Sequence, residues 1–144
     1  MTPEQYKKLT TKKVYKREEA NLQRSFGQMI QGYERWGKLS PDLIKYSYIA
    51  SGEARPSKII NGKRFSTVGN DLKKKGLKKG LADYFFCMNR SGMTCDLWLE
   101  AKSSTGKLTP EQIEFKNKIN NTKNSIFLEF RTVEEGLDII KKHG

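Results

Sequence analysis

The sequence predicts one α/β domain, a mixed sheet flanked by helices, on three observations. Two apolar runs, "ADYFFCM" and "TCDLWLEAK", are separated by the turn-forming "NRSG", so they read as a hairpin at the centre of a sheet. A third run of this kind, "SIFLEFR", comes only after a helical stretch, and helical stretches also open and close the chain. The length of 144 residues suits one core and is too short for two comfortable ones, so residues 1–144 are expected to form a single domain.

From about Lys16 to Trp36, Leu22, Phe26, Met29, Ile30 and Tyr33 recur at helical spacing, giving one apolar face, with Gly37 as the stop. "SPDL" predicts a short helix with Ser40 as cap and Pro41 in its first turn. "YSYIA", Tyr46 to Ala50, reads as a short strand and opens a core expected over about 46–142. Ser51 to Arg64 carries two glycines, a proline and four basic residues, the composition of a loop or hairpin. "NDLKKKGLKKG" predicts a short helix ending near Gly76. "ADYFFCM" is apolar on both faces and therefore central. The chain then continues through the hairpin, a helix from about Thr109 to Asn121, the third strand, and a closing helix capped by Thr132.

Lys and Arg total 28 against 16 acidic residues, a net charge of +12. That excess predicts a polyanionic partner, nucleic acid or an anionic membrane surface. No apolar run approaches the roughly 20 residues that span a bilayer. The opening "MTPEQYKKLTTKK" has no apolar segment and is not a secretory signal, so a cytoplasmic protein is expected. Cys87 and Cys95 lie inside apolar runs and read as reduced core thiols. The only histidine is His143. Histidine-based catalysis is thereby excluded, which leaves carboxylates, lysine and metal.

The stretch "LWLEAK" ends an apolar strand in Glu100 and Lys102, which alternation puts on one face. Asp83 opens the preceding strand, and in a hairpin the start of one strand lies beside the end of the next. Asp83, Glu100 and Lys102 should therefore converge at one end of the sheet. Two adjacent carboxylates repel unless a cation neutralises them or one is protonated. Mg²⁺ takes hard oxygen ligands, one or two of them carboxylates, together with a substrate phosphate. A neighbouring lysine can position a water and hold a phosphate. The pattern reads as metal-assisted phosphodiester hydrolysis, set against a surface Glu100–Lys102 pair worth less than about 1 kcal/mol.

Four blocks in order, "SGEAR" (Ser51 to Arg55), "LKKKGLKKGLAD" (Leu72 to Asp83), "LWLEAK" (Leu97 to Lys102) and "GKLTPEQ" (Gly106 to Gln112), resemble the virus-type replication-repair nuclease (VRR-NUC) domain of the PD-(D/E)xK superfamily. The resemblance covers about two thirds of the chain, with a weaker Glu-x-x-x-Gln match at Glu19 and Gln23. Ala82 stands where the family usually has proline and Ser51 where it usually has asparagine, and neither removes a group the reaction needs.

The resemblance implies a restriction-endonuclease-like core. It implies metal ligation by Asp83, Glu100 and the Ala101 backbone carbonyl, with Lys102 orienting the attacking water. A helical glutamate would complete the site, Glu19 first and Glu18 as the fallback, unless both belong to a solvated helix face. Gln112 would face the metal, yet "TPEQ" is also a capping box that recurs at Thr2 to Gln5, and both roles together would require its side chain to turn. Gly76 and Gly80 would shape the turn that delivers Asp83.

Lys73, Lys74, Lys75, Lys78 and Lys79 read as a phosphate-contacting surface or a solvated helix face, and Arg55 and Arg64 as further DNA contacts. The resemblance implies a Mg²⁺- or Mn²⁺-dependent DNA endonuclease leaving 5′-phosphate and 3′-hydroxyl ends. It further suggests branched DNA such as four-way junctions, a homodimer, and no organic cofactor. A non-catalytic basic DNA-binding protein is the rival, and an RNA-directed nuclease or binding module ranks last.

Overall fold

Thr2 starts the first helix, well before the expected Lys16. Its hydroxyl accepts the Gln5 N–H at 3.2 Å while Gln5 Oε1 accepts the Thr2 N–H at 2.9 Å. This reciprocal cap launches α1 (Pro3–Arg35). The computed structural model describes residues 2–50 and 58–143. "SPDL" does not form the expected helix. Ser40 closes a single turn, its hydroxyl taking the Asp42 N–H and its carbonyl the Leu43 N–H, and the chain goes straight into β1 (Leu43–Tyr48). The strand thus begins three residues before Tyr46, because pairing with the next strand claims Leu43 and Lys45.

The remaining elements are β2 (Lys58–Ile60), β3 (Lys63–Phe65), α2 (Thr67–Lys74), β4 (Tyr84–Arg90), β5 (Met93–Ala101), α3 (Pro110–Asn120), β6 (Ser125–Phe130) and α4 (Val133–His143). A four-stranded sheet runs β1-β4-β5-β6, and β2 and β3 make a separate two-stranded one. β4 pairs antiparallel with β1 and β5, whereas β5 and β6 are parallel, joined through α3. The sheet is therefore mixed and flanked by helices, consistent with an α/β nuclease-like core. No helix among the described residues is long and apolar enough to cross a membrane.

Period-two alternation divides the sheet's faces. Tyr84, Phe86, Met88, Leu97, Leu99, Ala101 and Phe130 pack under Phe26 and Ile30 of α1 and Leu137 of α4. Phe26 stands edge-on to Tyr84 with ring centroids 5.0 Å apart, and burying each such ring contributes about 1.5–3 kcal/mol. On the opposite face Phe115 of α3 meets Trp98 and Phe127. The two cysteines are free and only half-buried, so they are not the core thiols expected: the core positions beside them on β4 and β5 go to Phe86, Met88 and Leu97.

A buried carboxylate–lysine site at the end of the sheet

Tyr84 pairs with Leu99, so the hairpin register sets Asp83 beside Glu100 at the end of the sheet. The contact is direct. The Asp83 backbone N–H donates to Glu100 Oε2 at 3.1 Å, and the Ala101 N–H donates to Asp83 Oδ2 at 3.0 Å. Each carboxylate is thus held by the other residue's strand. Lys102 Nζ lies 3.3 Å from Glu100 Oε1. Glu100 is 3% exposed and Lys102 6%, which removes the surface-pair reading: this pair is inside the protein.

Gln112 reaches the site from the first turn of α3. Its Nε2 donates to Glu100 Oε1 at 2.7 Å, while its Oε1 accepts the Thr109 N–H at 3.0 Å. The two roles set against each other in the sequence coexist without any turn of the side chain, because the amide's donor and acceptor ends do separate work. Capping fixes the glutamine, and the fixed glutamine orients Glu100.

Glu19 comes in from α1. Its Oε1 accepts the Ser103 N–H at 3.4 Å, and its charge is close enough to Asp83 to help raise that carboxyl's pKa. Glu18 turns to the following loop, accepting the Ser104 N–H at 2.8 Å. Of the two, Glu19 is the one facing the site. Gln23, one turn further along α1, hydrogen-bonds Asp83 through its side chain.

Burial is the first cause that raises the pKa of both Asp83 and Glu100. For Glu100 the Asp83 charge comes next, and together they push it up to about 8 against the pull of Lys102 and Gln112. For Asp83, Gln23, the Ala101 N–H and Lys102 oppose the rise, and Glu19 adds to it. Two desolvated carboxylates side by side, the Asp83 charge raising the pKa of Glu100, are a donor pair suited to a hard divalent cation. No group of three or more histidine, cysteine or acidic side chains is gathered tightly enough to hold a metal among the described residues. Mg²⁺ does not require one, since it binds through one or two carboxylates and retains waters. The Asp83 and Glu100 carboxylates side by side fit that donor set.

The basic residues are less concentrated. Lys73, Lys74, Lys75, Lys78 and Lys79 are all exposed, on the last turn of α2 and the segment leading to Asp83, and Lys75 pairs with Asp71 at 2.8 Å. Arg55 and Ser51 lie outside the described residues; Arg64 is on β3, with its side chain outside them. Gly80 has φ +91, and a Cβ there would sit 2.8 Å from the Glu111 backbone. The segment that delivers Asp83 is thus pressed against the helix end that delivers Gln112.

One contributor escaped the sequence reading. Arg131 Nη1 donates to the carbonyls of Ser103 and Gly106, the latter at 2.9 Å, clamping the loop after Lys102 whose N–H groups Glu18 and Glu19 accept. A signal existed. "LEFR" ends β6 much as "LEAK" ends β5, and the parallel register Glu100↔Glu129 sets the two endings side by side.

No family model, curated protein or solved structure matches the chain.

Proposed function

We propose that the protein is a Mg²⁺- or Mn²⁺-dependent DNA endonuclease of the VRR-NUC type. The observation that carries this reading is the buried convergence of Asp83, Glu100 and Lys102, with Gln112 bonded to Glu100 at 2.7 Å. Burying Glu100 and Lys102 beside a half-buried Asp83 is costly unless their charges are used. Asp83, Glu100 and the Ala101 carbonyl would hold the ion. Once bound, such an ion supplies Lewis acidity and a water acidified toward neutrality.

The chain's own groups do the rest. Lys102, tethered to Glu100, orients the attacking water by hydrogen bonding and stabilises charge building on the phosphate. Gln112 and the Asp83 N–H keep the Glu100 oxygens in place. Glu19 holds the loop beyond Lys102 through the Ser103 N–H. Exposed Lys73, Lys74, Lys78 and Lys79, with Arg64 and Arg55, bring the backbone in without reading sequence. Branched DNA is the preferred substrate in this reading, cut by a homodimer with one site per subunit.

The test is cleavage of a labelled four-way junction and its matched linear duplex by wild type, Lys102→Ala and Asp83→Asn, each with Mg²⁺, Mn²⁺ and EDTA. Metal-dependent cutting by wild type that both variants lose, while staying folded and DNA-bound, is the expected result. Wild-type rates in folded variants would overturn the site assignment. A silent DNA-binding platform is favoured by one observation: the carboxylates already have protein hydrogen-bond partners. In that case Mn²⁺ would give no thermal stabilisation dependent on Asp83 and Glu100.

A further inference from the structure

Among the described residues, the β2–β3 hairpin pairs with no other strand. Asn61 and Gly62 close it, both left-handed at φ 50 and 75, between the paired Ile60 and Lys63. Two consecutive left-handed residues are the tight turn that matches strand twist, so the tip is narrow and well defined. Ile59 is 73% exposed and Ile60 53%. Neighbours on a strand face opposite sides, so neither face is covered by the described residues next to the tip. Two exposed isoleucines on a ribbon that pairs with no other strand among the described residues cost solvation and call for a partner that covers them.

The surroundings say what kind of partner. From Lys58 to Gly80 the chain has eight basic residues and one acidic residue, Asp71. Ser66 alone separates the hairpin from α2, and its hydroxyl caps that helix at the Gly69 N–H, 3.1 Å away. The same stretch then runs through Gly76 and Gly80 into Asp83. An apolar tip in a cationic stretch that leads to the site suits a polyanion with apolar surface between its charges. Stacked bases between phosphates are such a partner.

We infer that Ile59 and Ile60 form a wedge that enters a base step at the branch point of DNA, with Lys63 and the α2 lysines on flanking phosphates. The inference rests on the DNA reading above and deepens it by naming a source of substrate choice. Apolar wedges unstack a step at a cost of about a few kcal/mol, least where pairing is already broken. A wedge of this kind therefore favours a branch point over continuous duplex.

The experiment puts 2-aminopurine at the branch point of a four-way junction and in a matched linear duplex, with EDTA present so that no cutting intervenes. Wild type should raise the junction fluorescence severalfold at saturation and leave the duplex nearly unchanged. Ile59→Ser/Ile60→Ser, its fold checked by thermal melting, should retain most junction affinity through the lysines yet leave fluorescence flat. Wild-type binding without a rise, or a full rise with the double variant, overturns the wedge. So does Ile59- and Ile60-dependent binding to phosphatidylserine vesicles in place of the junction. Cutting without a fluorescence rise would sink the wedge alone; a rise with no cutting under any metal would sink the nuclease and keep the wedge.

Discussion

Glu100 accepts from three donors and is still protonated far above the usual carboxylate range, because burial and the Asp83 charge outweigh them. The consequence for stability has a definite sign. With its folded pKa raised from 4.5 to about 8, the native state binds more protons than the unfolded chain across that window. Stability from this group is fully present below about 4.5 and is lost as pH rises through about 8. In EDTA the melting temperature of wild type should therefore fall over that range, and Glu100→Gln should flatten the fall. Mn²⁺ should raise the melting temperature most at the alkaline end, where it neutralises a charge that otherwise stands desolvated. A pH profile identical in wild type and variant would show that Glu100 titrates normally. The pair itself was legible in sequence, since "LWLEAK" sets two charges on one face of an apolar strand. Its depth was not, because burial is set by segments distant in the chain, such as the α3 turn whose Gln112 bonds Glu100.

Among the elements, α3 does two jobs with one turn. Its capping box holds Gln112, and its first turn abuts Gly80 so closely that a Cβ there would lie 2.8 Å from Glu111. Gly80→Ala would add that clash to left-handed strain at φ +91, costing about 1–3 kcal/mol. Both the strand start carrying Asp83 and the helix end carrying Gln112 would shift. The expected outcome is a lower melting temperature with a fall in metal-dependent cutting larger than the reduced folded fraction explains. Equal falls in stability and activity would mean that this packing only supports the fold. Element types followed from periodicity, and the hairpin β4–β5, α3, β6 and α4 lie where their patterns put them. The differences fall at the front. Thr2 and Gln5 carry the letters of a capping box, yet the mostly polar run behind them has no apolar stripe to mark the helix they start. "SPDL" has a helix opener's letters, but β4 offers the next residues a ladder.

At the scale of the molecule, the net charge of +12 includes the exposed lysines of α2 and of the segment that leads from it to Asp83. DNA affinity should fall linearly on a log–log plot against salt, and charge-reversing Lys73 and Lys78 should reduce the slope by roughly 1 for each phosphate no longer neutralised. A slope unchanged by the double reversal would move the DNA path elsewhere on the surface. By itself the sequence determined the α/β class, the central hairpin, the convergence of Asp83, Glu100 and Lys102, and the expectation of a polyanionic partner. These are local or nearest-neighbour properties: alternation, turn chemistry, strand adjacency and charge count. Tertiary structure alone decided that Glu19 and not Glu18 faces the site, that Gln112 can cap and orient Glu100 together, and that Arg131 clamps the loop behind Lys102. It also decided that the isoleucines of the β2–β3 tip stand exposed. Each of these depends on helix phase or strand register between segments far apart in the chain, and packing alone sets those.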